Sequence, residues 1–348
     1  MTMPAASEDR YAVADAPPRR WRDIVLSWEV ILVILLAVTI IVNTIASPYF
    51  LDVFNLADAT FNFSEKAIIA LAMALLILVR QIDLSVAAIV ALAAMGIGYA
   101  AEAGHGPLVL FAIGIGIGLL CGIFNGLLVS YLNLPSIVVT IGTMSLFRGL
   151  TQVVLGDQAK TKFPPAFLDL GQSYFIKMKE SGISWLFLPP VPLSFLIFLI
   201  LAVLFGIVLH KTAVGRQLFA TGSNPVAARF SGIPVARLRF ILFVVSGILS
   251  GLAAGLLVAR LGSVRSNIGI GWELDIVTMV ILGGVSIAGG VGSILGVLLA
   301  VLVLGLLTFG MSLNNIPGQV VSVYIGALLI AVIAIPRVIE RIRVATNR

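Results

Sequence analysis

The chain has 348 residues, of which 60% are hydrophobic and 11% charged, with a formal net charge of +6. A soluble domain carries roughly 25% charged residues, so these charges are too few to cover a water-soluble body, and lipid is the expected solvent. The basic residues sit in short loops between apolar runs, which marks topology-setting charge rather than a nucleic-acid surface.

A helix needs about 20 mostly apolar residues to cross a hydrocarbon core. Residues 1–24, with Pro17 and Pro18, predict a disordered tail. The run from Val30 to Val42 follows Arg19, Arg20 and Arg22 and has no small-residue cleavage site after it, so it is expected to be an uncleaved first span. Further spans are expected near 63–80, 84–103, 107–130, 135–155, 190–210, 239–260, 274–289, 291–312 and 318–336, after a first at 27–46. The second, third, eighth and ninth are short or closely joined, so broken or kinked helices are expected among them. The fold class is therefore an all-α integral membrane protein of about ten transmembrane helices, with a membrane domain over 25–336 and a tail over 337–348. The single cysteine, Cys121, lies in an apolar run and makes neither a disulfide nor a metal site.

Short-loop Lys and Arg set orientation. The loop 211–238 and its edges carry His210, Lys211, Arg216, Arg229, Arg237 and Arg239 with no acid, and the tail carries Arg337, Arg341, Arg343 and Arg348 against Glu340. With ten crossings both fall on the side of the N-terminus, which predicts an inner-membrane protein with both termini in the cytoplasm. The loop 156–189, with charges of both signs, falls on the periplasmic side.

An internal echo is visible. Leu132-Asn133-Leu134-Pro135-Ser136 is answered by Asn314-Asn315-Ile316-Pro317-Gly318, and Ile82-Asp83-Leu84-Ser85 by Val285-Ser286-Ile287-Ala288. Both pairs are expected to lie five spans apart, in opposite orientations, which predicts an inverted repeat of the transporter kind. Gly283, Gly284, Gly289, Gly290 and Gly292, like Gly114, Gly116 and Gly118, are expected to bring helices close in lipid, where small residues drive packing.

Ionisable residues near membrane depth are Glu65 with Lys66, Arg80 with Asp83, Arg148, and Glu273 with Asp275. All are expected at helix ends, with Arg80 and Asp83 close enough to pair if their turn is helical. Asp83, Asn125, Glu273 and Asp275 are the candidates for a translocation path or gate. In the loop, Ser223 and Asn224 are helix-capping residues, Pro225 suits a first helical position, and Gly232 suits a left-handed stop. That predicts one short helix over Val226–Phe230, which is either an ordinary capped linker or a handle for a soluble partner.

Several motifs resemble the permease subunits of ABC importers for sugars, the ribose-type family related to branched-chain amino acid permeases. They are Ile82-Asp83-Leu84-Ser85-Val86; Asn125-Gly126-Leu127-Leu128-Val129 with Pro135 and Thr140-Ile141-Gly142-Thr143-Met144; the loop 215–234; and Gly271-Trp272-Glu273-Leu274-Asp275 through Ile281–Ser293. Gly262–Ser266 and Thr278-Met279-Val280 look more like the rhamnose and autoinducer-2 importers. The resemblance implies a cytoplasmic ATPase, which binds the ATP and Mg and grips Gly222, Ser223, Asn224, Pro225, Ala228, Arg229, Ser231 and Gly232. It also implies a second permease, identical or paralogous, and a periplasmic sugar-binding protein. The cargo would be a monosaccharide or related small polar solute such as rhamnose, autoinducer-2 or ribose. One departure stands out: Arg80-Gln81 occupies the place where the family usually has Gly-Gly. The chain lacks the Gly-x-x-x-x-Gly-Lys-Ser/Thr pattern needed to hydrolyse ATP itself, and no catalytic residue, metal site or cofactor is expected. The alternative reading is an ion-coupled secondary transporter, which requires a carboxylate buried in mid-span.

Overall fold

A computed structural model describes residues 28–176 and 191–346. The expected disordered tail and the middle of loop 156–189 lie outside the described residues. Thirteen helices follow one another: α1 (Trp28–Ala46), α2 (Val53–Leu78), α3 (Val86–Glu102), α4 (Pro107–Ser130), α5 (Ser136–Leu155), α6 (Pro165–Gln172), α7 (Leu193–Lys211), α8 (Ala213–Ser223), α9 (Pro225–Phe230), α10 (Val235–Leu261), α11 (Trp272–Leu282), α12 (Ile294–Leu313) and α13 (Gly318–Thr346). Two short strands, β1 (Tyr174–Ile176) and β2 (Val191–Pro192), pair antiparallel between α6 and α7.

Among the described residues, seven helices are long and apolar enough to cross a membrane: α1, α2, α4, α5, α7, α10 and α12. The apolar part of α13 and the 17-residue α3 are shorter, and α11 has only 11 residues. These ten segments correspond to the ten expected crossings; of the four expected to be short or broken, the third and eighth are short, whereas the second and ninth run unbroken over 26 and 20 residues.

The largest departure is at α2. It begins at Val53, ten residues before the expected start, with the Asp52 carboxylate accepting from the N–H groups of Phe54 and Asn55. The polar residues Asn55, Asp58, Thr60 and Asn62 hide this first part from a hydropathy reading. Glu65 and Lys66 consequently sit in the middle of a helix rather than at its end. α11 stops at Leu282, seven residues early, because Gly284 turns left-handed at φ +83°.

α2 and α10 run through the centre. α10 packs on α4, α2 and α3, while α2 packs on α10, α12 and α11. The pattern is that of an inverted repeat in which α2–α5 answer α10–α13. The α4–α10 contact matches α12–α2, α3–α10 matches α11–α2, and α3–α5 matches α11–α13. The turns also match. Asn133 and Asn315 both adopt φ +55°, a conformation asparagine tolerates better than most residues, and each lies two positions before the proline that precedes the next helix.

The second echo does not belong to this symmetry. Residues 79–85 join α2 to α3 and 283–293 join α11 to α12, six crossings apart, so both lie at the same end. They touch there: the Gly290 N–H donates to the Leu78 carbonyl at 2.9 Å.

Small residues bring α4 and α10 together as expected, though with a shifted set. Gly114, Gly118 and Gly122 face Gly247 and Gly251, and a Cβ on Gly122 would stand 2.6 Å from the Phe243 carbonyl oxygen. Gly116 points into open space.

Candidate functional site

Counting crossings from α1 places 79–85, 131–135, 212–234 and 283–293 at one end, called here the basic end. The segments 47–52, 103–106, 156–176, 191–192 and 262–271 lie at the opposite end.

At the basic end the loop expected to carry one short helix carries two. α8 is capped by the Thr212 hydroxyl, which accepts from the Gly215 N–H at 3.4 Å, and ends at Ser223. α9 then starts on Asn224, whose side-chain oxygen accepts from the N–H groups of Val226 and Ala227, each at 3.0 Å, with Pro225 in the first helical position. This capping leaves the first-turn donors satisfied in six residues of helix. Ser231 donates its hydroxyl back to the Ala227 carbonyl, and Gly232 at φ +82° ends the turn. Of the two expected caps, Asn224 serves and Ser223 closes the preceding helix. Ala228 is buried beneath α9, whereas Arg229 is exposed, Val226 is 63% exposed and Phe230 is 89% exposed.

The two junctions meet this loop directly. A Cβ on Gly290 would lie 2.9 Å from the Ser223 Cα, and one on Gly289 would lie 2.7 Å from the Gly222 carbonyl oxygen. Gly222 itself is buried against Leu78 and Gly290. Gly283 faces the backbone of Gly296 and Val297, and Gly284 carries the indole of Trp28, whose Nε1 donates to the Leu282 carbonyl at 2.8 Å. Gly292 meets Val285, through both its side chain and its Cα.

Arg80 does not pair with Asp83, because their turn is not helical. Its Nε donates to the Gly222 carbonyl at 2.7 Å and its Nη2 to the Ser223 carbonyl at 2.6 Å. Asp83 turns inward and is fully buried. It accepts from the Ser85 N–H at 3.0 Å, the Ser85 hydroxyl at 2.6 Å and the Ser246 hydroxyl of α10 at 3.1 Å, while Asn125 of α4 donates to the Ser85 oxygen at 2.8 Å. At the same junction Thr140 of α5 donates its hydroxyl to the Ile82 carbonyl, and the Ser136 hydroxyl oxygen accepts from the Ile82 N–H. Asp83 and Asn125, two of the four expected path residues, therefore share one buried network that fixes the break before α3.

Glu273 and Asp275 stand apart from them, in the first turn of α11. Asp275 receives the Lys66 ammonium at 2.5 Å, and that ammonium also sits 5.3 Å from the centre of the Trp272 ring. Beside this pair the Arg260 Nε meets the fully buried Glu65 at 2.8 Å. Arg148, in the middle of α5, donates to the carbonyls of Ile268 at 2.6 Å and of Ser266 and Ala87 at 3.3 Å, tying segment 262–271 to the start of α3. At the opposite end Lys160 bonds Glu102 at 2.8 Å, lies over the Tyr99 ring and pairs its backbone with Val264. The carboxylate holds the Lys160 amine above its ordinary pKa. Burial, with the bond to Asp58, pushes the Tyr174 phenol up to about 12.

A bundle with matched inverted halves, two helices shortened by breaks in the chain, and a capped surface helix whose root meets both junctions has the build of a membrane permease. The chain belongs to the family described as "Branched-chain amino acid transport system / permease component", whose model matches residues 55–333. It is similar to the autoinducer 2 import system permease protein LsrD of Photorhabdus laumondii, at 33% identity over 87% of this chain and 89% of that protein. The proteins of the same description from Yersinia enterocolitica and Escherichia coli are 39% and 40% identical over 62% of this chain. Those two alignments span 63% of the relatives' own length. No solved structure matches the chain.

Proposed function

We propose that this chain is the transmembrane permease subunit of an ATP-driven importer for a monosaccharide or a related small polar solute, with autoinducer 2 among the candidates. The observation that carries the reading is the α8–α9 element. A six-residue helix, rigidly capped and presenting Phe230 and Val226 to solvent beside Arg229, offers the aromatic and arginine contacts that anchor protein interfaces. The loop carrying it holds Lys211, Arg216, Arg229 and Arg237 and no acid, which supports a cytoplasmic basic end and, with an even number of crossings, cytoplasmic termini.

An ATPase seated on α9 binds ATP and Mg itself and favours one of two arrangements of the bundle. It shifts their populations by the difference in its affinity for each. A second permease, identical or paralogous, completes the pathway against the apolar faces that α4 and α5 expose, and a periplasmic binding protein delivers the solute. The similarity to import-system permeases supports this assembly. An ion-coupled mechanism would need a buried carboxylate free to take up a cation; of the two that are fully buried, Glu65 is paired with Arg260 and Asp83 accepts from three donors at the α3 break.

The test is co-expression with the ATPase of the same import system, followed by purification through a tag on this chain. Phe230→Ala should weaken ATPase recovery by about tenfold or more, the scale of a lost interface anchor. Recovery equal to that of the unaltered chain overturns the assignment of α9 as the docking element.

A further inference from the structure

Arg80 holds a backbone conformation that its residue type disfavours. At φ +63° it is left-handed, a region where a side chain is normally avoided and glycine is at ease. The other helix break at the same end supplies the comparison, although it is not the repeat-related one. The Arg80 N–H bonds the Ile77 carbonyl and the Gln81 N–H bonds Leu76; likewise the Gly284 N–H bonds Ile281 and the Val285 N–H bonds Val280. The two helix ends are the same turn, and the second uses glycine. An arginine in the strained position of the first points to a use for its side chain.

Two nitrogens of that side chain are committed to one place. Nε and Nη2 reach two successive carbonyls, Gly222 and Ser223, the last residues of α8. These are carbonyls that no helical N–H satisfies, at the negative end of the helix, where a cation is favoured. The planar guanidinium presents both donors in one rigid fork, whereas an ammonium is a point charge on a flexible stem. The stem of Arg80 lies against Gly289, and the next residue after Ser223 is Asn224, the cap of α9. One side chain thus links the end of the central helix α2, the junction before α12 and the root of the short helix.

We propose that Arg80 is a positioning residue for coupling: it latches the α8–α9 element to the α2–α3 junction, so that displacement of α9 by the ATPase is transmitted to the break at Asp83. This rests on the docking reading given above. Loss of the latch leaves α9 able to bind its partner while its motion no longer reaches the bundle.

The test compares Arg80→Gly, which removes the guanidinium and relieves the backbone, with Arg80→Lys, which keeps the charge without the paired geometry. Both are measured in the complete importer, reconstituted in liposomes with its ATPase, second permease and binding protein. Three quantities are read: ATPase recovery with the chain, ATP hydrolysed, and solute taken up. Arg80→Gly should keep ATPase recovery and basal hydrolysis and lower the solute moved per ATP by about tenfold, on the scale of one lost charge-assisted hydrogen bond. Arg80→Lys should fall between it and the unaltered chain. Hydrogen exchange on the purified chain gives a second readout: amides of 220–230 should exchange faster in Arg80→Gly, while those of α10 are unchanged. Unchanged uptake per ATP, or unchanged exchange over 220–230, overturns the latch. Failure of the unaltered chain to retain the ATPase would instead remove the docking reading.

Discussion

The two ends of this protein are held by different means. At the basic end the junctions 79–85 and 283–293 meet α8 through backbone contacts at Gly222, Gly289 and Gly290, and the side chain that joins them to α8, Arg80, bonds neutral carbonyls. Toward the opposite end, α2 is fixed to α10 and α11 by the pairs Glu65–Arg260 and Lys66–Asp275, and segment 262–271 is fixed by Arg148. Glycine contacts and single hydrogen bonds can slide or swap at modest cost. A buried ion pair cannot be parted without exposing an uncompensated charge to a medium that does not solvate it. The contrast suits a machine driven from the basic end and hinged at the other.

Breaking that contrast from the rigid side gives the largest expected effect. Arg260→Ala leaves the buried Glu65 carboxylate without its cation and should cost about 3–5 kcal/mol of stability. A lower thermal unfolding midpoint in detergent would register this, and pairing the change with Glu65→Gln should recover most of the loss. If Arg260→Ala alone is as stable as the unaltered chain, the rigid-half account is wrong. The losses of partner and coupling expected at Phe230 and Arg80 are intermediate, and should appear in activity with little change in the unfolding midpoint. The smallest effect is expected at Lys160→Met. Its bond to Glu102 lies at the protein's edge with the carboxylate partly exposed, and such pairs contribute little to stability. A larger loss would mean that loop 156–176 carries more of the fold than its contacts show.

Much of the fold was legible in the sequence because lipid imposes a length and a polarity that few other environments demand. Nine of the ten expected spans begin within a few residues of a helix. The exception, α2, was obscured because Asn55, Asp58, Thr60 and Asn62 form a polar helical extension that no apolar window detects. That error also misplaced Glu65 and Lys66. The capped helix at Asn224 was legible in detail, since Asn-Pro before a short run and Gly232 after it are local signals that need no tertiary knowledge. The pairings were not. Arg80 was matched with Asp83, three residues away, whereas its partners lie more than a hundred residues along the chain; nothing local marks such a contact. The departure from Gly-Gly at Arg80-Gln81 was the one signal that pointed there. The echo between 82–85 and 285–288 misled for the opposite reason. Two helix breaks facing the same end can share composition without sharing a place in the repeat.

The central claim is that Asn224–Gly232 stands in the cytoplasm, where an ATPase can reach it. Val226→Cys in a Cys121→Ala background places one exposed thiol on α9. A membrane-impermeant maleimide should label it in inside-out vesicles, with bound ATPase protecting it, and should leave it unlabelled in intact spheroplasts. Labelling from outside the intact membrane would contradict the account.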